Sequence, residues 1–359
     1  MAMRCDGSSR REGLTAEEDG GEDWLSTLPD EILHNVLSFL PAHEVVWTCV
    51  LSRRWRNLWR SAPVLRIRYA ERWDGMAKFD KFVNNLLLLR DPVPLDELEF
   101  QTVLGICKLH PLQHSFRLLK YANTWIRHVL MCNVRVLRVL VQYQYELPLL
   151  KVSMPLISEH LKTLELRRVL LDKRALDFSS CPSLENLEMD SCGNSTTNKI
   201  FSQSLKRLCI TNGRFADDLS SLPALQDLEM ESCGICTEKL CMFKQDLTWC
   251  PRFSKVKTLL LDGWVVGHDF YAVVCFLQHT PILEKLTLQL CKGHERMVEI
   301  EESNRSVGRM VQFEHLQTVE VRCLRNDEWV HKILKILNTY GITPDKITIQ
   351  IQMSCGDYV

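Results

Sequence analysis

No stretch of this 359-residue chain approaches the roughly 18 consecutive apolar residues that a bilayer-spanning helix needs, which excludes such a span. The opening run MAMRCDGSSRREGLTAEEDGGED lacks the apolar core that secretion requires. An excess of one charge is missing too. With 44 basic and 45 acidic residues the formal net charge is −1, so electrostatics give no general case for nucleic acid or an anionic membrane as partner. Arg53-Arg54 beside Trp55 and Trp59 reads as a helix with its arginines wet and its tryptophans buried, not as a stacking platform. The chain has no Walker loop, dinucleotide glycine fingerprint or G-x-S-x-G elbow, and His43-Glu44 and His294-Glu295 both lack the second His of a zincin helix.

Cysteine, by contrast, is plentiful. The fifteen cysteines are odd in number, scattered from Cys5 to Cys355 and not preceded by a signal peptide, the pattern of reduced thiols in a cytosolic or nuclear protein. Cys233-Gly-Ile-Cys236, with Cys241 and Cys250 nearby, is the one group with zinc-like spacing, but it holds a single C-x-x-C, and the expectation is no metal and no cofactor. Composition, at 46% hydrophobic and 25% charged, is that of an ordinary globular protein with room for two or three domains. Residues 1–22 are too polar to offset their ordering entropy and read as a disordered leader.

The densest signal runs from Asp23 to Trp59, DWLSTLPDEILHNVLSFLPAHEVVWTCVLSRRWRNLW. Pro29 stands in a first-turn position where its missing N–H costs nothing, and Asp30 and Glu31 put negative charge at the positive helix end. Leu28, Ile32, Val36 and Leu40 recur every fourth residue, and Leu33, Leu37 and Phe39 widen the stripe. A unit of about 40 residues seldom builds a sufficient core alone, so this stretch reads as half of an interface. It resembles the F-box, whose order of motifs is matched by Leu28-Pro29-Asp30-Glu31, Ser38-Phe39-Leu40-Pro41 and Arg54-Trp55-Arg56. The resemblance implies three helices over residues 23–62 that dock on a Skp-type adaptor, and through it on a cullin. The matching contact positions are Leu28, Pro29, Ile32, Leu33, Val36, Leu37, Leu51, Trp55 and Leu58.

Residues 63–94 read as a joint, with a short strand at Val64-Leu65-Arg66-Ile67 and a helix around Phe79 to Leu87. Beyond it the form L-x-x-L-x-L recurs from Leu161, Leu184, Leu205, Leu225, Val256, Leu283 and Leu316, at intervals of 23, 21, 20, 31, 27 and 33 residues, with weaker copies from Leu95 and near Val134. Cys192, Cys233 and Cys291 each fall eight residues after the first Leu of their copy, where leucine-rich repeats turn off the strand. Residues 95–359 are thus similar to an irregular leucine-rich-repeat domain. The expected fold class is α/β, a three-helix F-box followed by a solenoid with a parallel concave sheet. A helix around Trp329 to Leu337 and a strand Ile347-Thr-Ile349-Gln-Ile351 would cap its open end.

Flanking residues on each strand alternate outward. The candidate substrate-binding positions are therefore Glu165, Glu188, Asp190, Arg207, Asp227, Glu229 and Glu231, an acidic face suited to a basic protein surface. The whole chain resembles plant F-box/leucine-rich-repeat proteins, which implies a non-catalytic substrate adaptor of a cullin-based ubiquitin ligase, cytoplasmic or nuclear. The alternative is a hormone-type small-molecule receptor on the same architecture. Those relatives use a basic cluster where this chain is acidic.

Overall fold

A computed structural model describes residues 27–68, 73, 76–104, 111–143, 150–194, 199–212, 219, 221–231, 252–262, 271–290, 313, 315–323, 328–339 and 341–351. The leader, the group Cys233, Cys236, Cys241 and Cys250, Cys291 and His294-Glu295 lie outside these residues.

Pro29 precedes helix α1 (Asp30–Ser38), and its carbonyl accepts the N–H groups of Ile32 and Leu33 at 3.1 and 3.2 Å. Asp30 and Glu31 occupy the first turn, and Arg54 Nε donates to Asp30 at 3.0 Å. Pro41 opens α2 (Ala42–Trp47) in the same way, and after a 3₁₀ turn over Thr48–Val50 the short α3 spans Trp55–Leu58. Leu33, Leu37, Val45, Trp55 and Leu58 form a small core of their own. Ala42 instead belongs to the main core, against which Val46 and Trp59 also pack.

The rest is built on one large parallel sheet. Its strands are β1 (Val64–Arg68), β2 (Glu97–Leu104), β3 (Val136–Tyr143), β5 (Thr163–Arg167), β7 (Asn186–Asp190), β9 (Arg207–Thr211), β10 (Asp227–Glu231), β11 (Thr258–Asp262), β12 (Lys285–Gln289), β13 (Thr318–Cys323) and β14 (Ile347–Ile351), adjacent in that order. Each L-x-x-L-x-L copy starts its strand at the third position. Its second and third apolar residues then point inward by the two-residue period: Leu164 and Leu166, Leu187 and Met189, Leu208 and Ile210, and Leu228 and Met230 are all buried. The first Leu of each copy is buried just ahead of its strand. Backbone bonds bind copy to copy there, as Glu185, Lys206 and Gln226 donate in turn to the carbonyls of Lys162, Glu185 and Lys206 at 2.8–2.9 Å.

The exit from the strand is as regular as the entry. Arg168, Ser191 and Asn212 each follow the last strand residue with φ of 55°, 53° and 50°, a left-handed step that swings the chain off the sheet. After Arg168 and Ser191 it leads into β6 (Val169–Leu171) and β8 (Gly193–Asn194), which with β4 (Leu150–Val152) make a second parallel sheet whose Val152, Val169 and Leu171 are buried.

Helices cover the inner face elsewhere. Helices α4 (Met76–Leu89) and α5 (Pro111–Met131) lie at the β1 end, where Trp125 meets Phe79 edge-on at 6.1 Å and Phe100 at 5.5 Å. Further along, α6 (Tyr271–His279) buries Val273, Phe276 and Leu277, and α7 (Glu328–Thr339) buries Val330, Ile333 and Leu337. The last strand extends the sheet over the edge of β13, which would otherwise be unpaired. β14 pairs in parallel with β13, leaving Ile349 and Ile351 exposed at 38% and 61%.

Leu208→Ala removes a side chain with no exposure and should cost about 2–5 kcal/mol. Glu229→Ala, on the outer face, should change stability by less than about 0.5 kcal/mol. The two urea midpoints measure the difference.

Candidate functional site

Two surfaces remain after the core is assigned. One is apolar and lies on the N-terminal helices. Ile32, Val36, Phe39, Trp47, Val50 and Leu51 are exposed at 47, 50, 72, 59, 83 and 62%, a concentration of large apolar side chains on about 20 residues. Helix geometry explains it, because Ile32 and Val36 lie four residues apart on one side of α1 while Leu33 and Leu37 lie on the adjacent, buried side.

The nine positions expected to meet an adaptor therefore divide. Pro29, Ile32, Val36 and Leu51 are exposed and Leu28 is half-buried. Leu33, Leu37, Trp55 and Leu58 are interior residues of the module, so in this structure they shape the exposed face from beneath. Phe39, Trp47 and Val50 belong to the exposed face although they were not among the nine. Their signal in the sequence was apolar residues in excess of what one helix stripe can bury.

The other surface is the polar face of the sheet. Parallel register places Glu165, Glu188, Cys209 and Glu229 side by side in one row, with Arg167, Asp190, Thr211 and Glu231 in the next. The acidic face is less free than its composition suggests. Arg138 pairs with Glu165 at 2.9 Å and Arg167 with Asp190 at 2.8 Å, and Asp190 also accepts from Ser191 and Asn212. Asp227 takes Arg207 at 3.6 Å and the Thr258 hydroxyl. Glu188 and Glu229 are exposed and carry no ion pair among the described residues. Glu231 ends β10, in register with Thr211 and Asp262. Arg207 is exposed beside Asp227.

Nothing in the described residues groups three or more His, Cys, Asp or Glu as a metal site, and no described helix is long and apolar enough to cross a membrane. An apolar gap beneath the sheet, lined by residues such as Phe100, Trp125 and Leu137, measures about 10 Å³, close to one water and far below a hormone-sized ligand. Cys192 is structural. Its buried thiol donates to the Leu166 carbonyl at 3.3 Å, and burial pushes its pKa from 9.0 up to about 12. Cys181 donates likewise to Leu156, and burial raises its pKa too.

This is a mixed α/β chain with a large parallel sheet behind an N-terminal helical module, and the comparisons agree. Residues 25–67 match the F-box domain. The chain is similar to an F-box/LRR-repeat protein of Arabidopsis thaliana, 34% identical over 34% of this chain and 26% of the relative. It is similar also to a putative FBD-associated F-box protein of the same plant, 29% identical over 55% and 48% of the two chains. An F-box/FBD/LRR-repeat protein, again of Arabidopsis thaliana, is 30% identical over 47% and 35%. The chain thus spans about a quarter to a half of these relatives' length. The F-box and these homologues together support a plant F-box/leucine-rich-repeat family for the chain.

A thiol whose pKa is raised by folding stabilises the fold below its unfolded value and loses that contribution as pH climbs through 9.0 toward about 12. Alkylation of the native protein near pH 8, read by peptide mass, should leave Cys192 and Cys181 unmodified. Modification at the rate of the unfolded chain would contradict the packing described.

Proposed function

We propose that the chain is a non-catalytic substrate adaptor of a cullin-based ubiquitin ligase. In this reading residues 23–62 are a three-helix F-box that docks on a Skp-type adaptor. The repeats from residue 95 onward are a leucine-rich-repeat solenoid whose polar sheet face receives a protein substrate. The F-box match and the F-box/LRR homologues suggest a substrate-adaptor role in general. The observation that carries the finer reading is the exposed apolar face of Ile32, Val36, Phe39, Trp47, Val50 and Leu51, confined to the matched segment. Such a face is costly in water and is accounted for by a partner that covers it. Transfer would then follow from proximity, since holding a target lysine near a charged carrier raises its effective concentration. Cytoplasm or nucleus, where reduced thiols persist, is the corresponding location.

Adaptor binding should depend on the exposed side chains. Ile32→Asp with Val36→Asp puts two charges into the proposed contact while leaving Leu33 and Leu37 in place, and should cost upwards of about 2 kcal/mol, more than thirtyfold in Kd. Leu28→Ala with Pro29→Ala should weaken binding less. Calorimetry with a purified Skp-type adaptor decides it, and unchanged affinity in the aspartate variant sinks the adaptor assignment.

For the substrate, the reading favours a basic surface drawn to Glu188 and Glu229. Two carboxylates with no ion pair among the described residues set the local field, which salt screens over roughly 8 Å at physiological ionic strength. Charge reversal at both (E188K with E229K) should slow association and flatten its salt dependence without lowering the melting temperature. The readout is substrate capture from plant extract across a salt series, with adaptor binding as internal control. Equal capture by variant and wild type at low salt would show that specificity lies elsewhere.

A further inference from the structure

Beside the apolar packing of Ala42, Val46 and Trp59 on the main core, one guanidinium links α1 of the helical module to the strands of the sheet. Arg66 lies in the middle of β1, on the polar face, between buried Leu65 and Ile67. Its Nε donates to the Ser38 carbonyl at 2.7 Å, at the C-terminal end of α1 where the helix dipole favours a cation. Its Nη1 lies 2.8 Å from Glu99 and 3.3 Å from Glu97, both on β2. Those carboxylates are themselves held, Glu99 by Arg68 at 2.8 Å and Glu97 by Arg138, which reaches on to Glu165 of β5. The Glu99 side chain is only 8% exposed, so this network is screened less than a surface pair would be.

Other polar contacts at the same junction lie on the chain that leaves α3 and do not reach α1. Arg60 donates to the Leu89 carbonyl at 2.9 Å and pairs with Asp91 at 3.1 Å; Arg90 donates to the Ala62 carbonyl at 2.7 Å. These hold the chain leaving α3 against the end of α4. Among the described residues Arg66 joins α1, which carries Ile32 and Val36, to the row of side chains that continues through Arg138, Glu165, Glu188 and Cys209 to Glu229. Between β1 and β10 lie six strand steps, or roughly 30 Å.

We propose that Arg66 is a positioning residue: it fixes the angle between the exposed helical face and the polar sheet face, so that whatever the sheet holds is presented to the ligase in one orientation. The geometry stands on its own contacts. Its consequence for ubiquitin transfer rests on the adaptor reading above. A guanidinium is suited to the task because its planar fork reaches a carbonyl and carboxylates at once, which a lysine ammonium cannot match. Loss of Arg66 leaves Glu99 its bond to Arg68 and Glu97 its bond to Arg138, so the sheet should survive.

The test uses the full chain with spin labels carried by non-natural amino acids at the exposed Asn35 and Glu188, sparing the native cysteines. Pulsed dipolar spectroscopy should give one narrow distance distribution for wild type. Arg66→Ala should broaden it about twofold and Arg66→Lys less, as the module is freed to rotate on its remaining contacts. An unchanged width in Arg66→Ala overturns the proposal; if that variant does not fold, an unchanged width in Arg66→Lys does so. In a reconstituted ligase, Arg66→Ala should keep wild-type affinity for the Skp-type adaptor while transfer to bound substrate falls about tenfold. Broadened distances with undiminished transfer would refute the catalytic consequence. Broadened distances in a protein whose wild type binds no adaptor would leave the positioning role standing and remove the ligase reading instead.

Discussion

Because side chains alternate along a strand, a slip of one residue between β7 and β9 would carry Glu188 or Cys209 into the core and expose Leu187 or Leu208. Every other property of the sheet depends on that register. It is held on the inside by two buried apolar residues per strand, and at entry by the backbone bonds that run from Lys162 through Glu185 and Lys206 to Gln226. At exit it is held by the positive-φ residues Arg168, Ser191 and Asn212, where the N–H groups of Arg168 and Ser191 donate across to the carbonyls of Asp190 and Thr211 at 2.8 Å. With both ends and the inner face fixed, the exposed positions of the outer face can vary in chemistry at little cost to the register.

The helical module obeys a different constraint. Five interior side chains make a small core, and the module gains further burial only where Ala42, Val46 and Trp59 reach the sheet's own core. His43 extends this contact, edge-on to Trp73 at 5.9 Å, and Trp73 in turn meets Phe79 of α4 at 5.4 Å. A unit this small cannot bury two sides of α1. One side is covered by the module itself, and the other, with Ile32 and Val36, stays open. The same shortage of covering material that makes the module marginal alone leaves this apolar side open.

Much of this was legible in the residues. Leu-Pro followed by an acidic pair marked the start of α1, and the L-x-x-L-x-L copies marked strand positions because a two-residue period needs no knowledge of neighbours. What could not be read was anything that depends on which strands sit side by side. Arg138 meets Glu165 across 27 positions and Arg167 meets Asp190 across 23, so an acidic composition counted along the chain overstates the free charge on the face. The division of α1 was hidden for a related reason. Periodicity gives the apolar stripe but not which part of it its own module will cover, and Leu33 and Leu37 were grouped with Ile32 and Val36. The strand at the end of the sheet was legible for the opposite reason: the alternating Ile347-Thr-Ile349-Gln-Ile351 needs only an unpaired neighbour to extend the ladder, and β13 supplies it.

The distribution of charge across the outer face now has a physical sense. Toward β1, arginines and carboxylates alternate strand by strand, Arg66 against Glu99 and Arg138 against Glu165, so their fields cancel at short range and their bonds stiffen the junction. At the far side the Glu320 carboxyl is lowered from its ordinary value, chiefly by its hydrogen bond to Arg322, with Lys285 adding to it. Between these closed regions Glu188 and Glu229 flank Cys209, with no cation paired to either among the described residues. Pairing at the flanks prevents a diffuse negative field over the whole sheet and confines attraction to the middle rows. A basic partner would therefore be drawn to one place on the face and not spread along it, and a fixed place of capture is of use only if the helical module is held at a fixed angle to it. The rigid junction and the localised charge are two requirements of one arrangement.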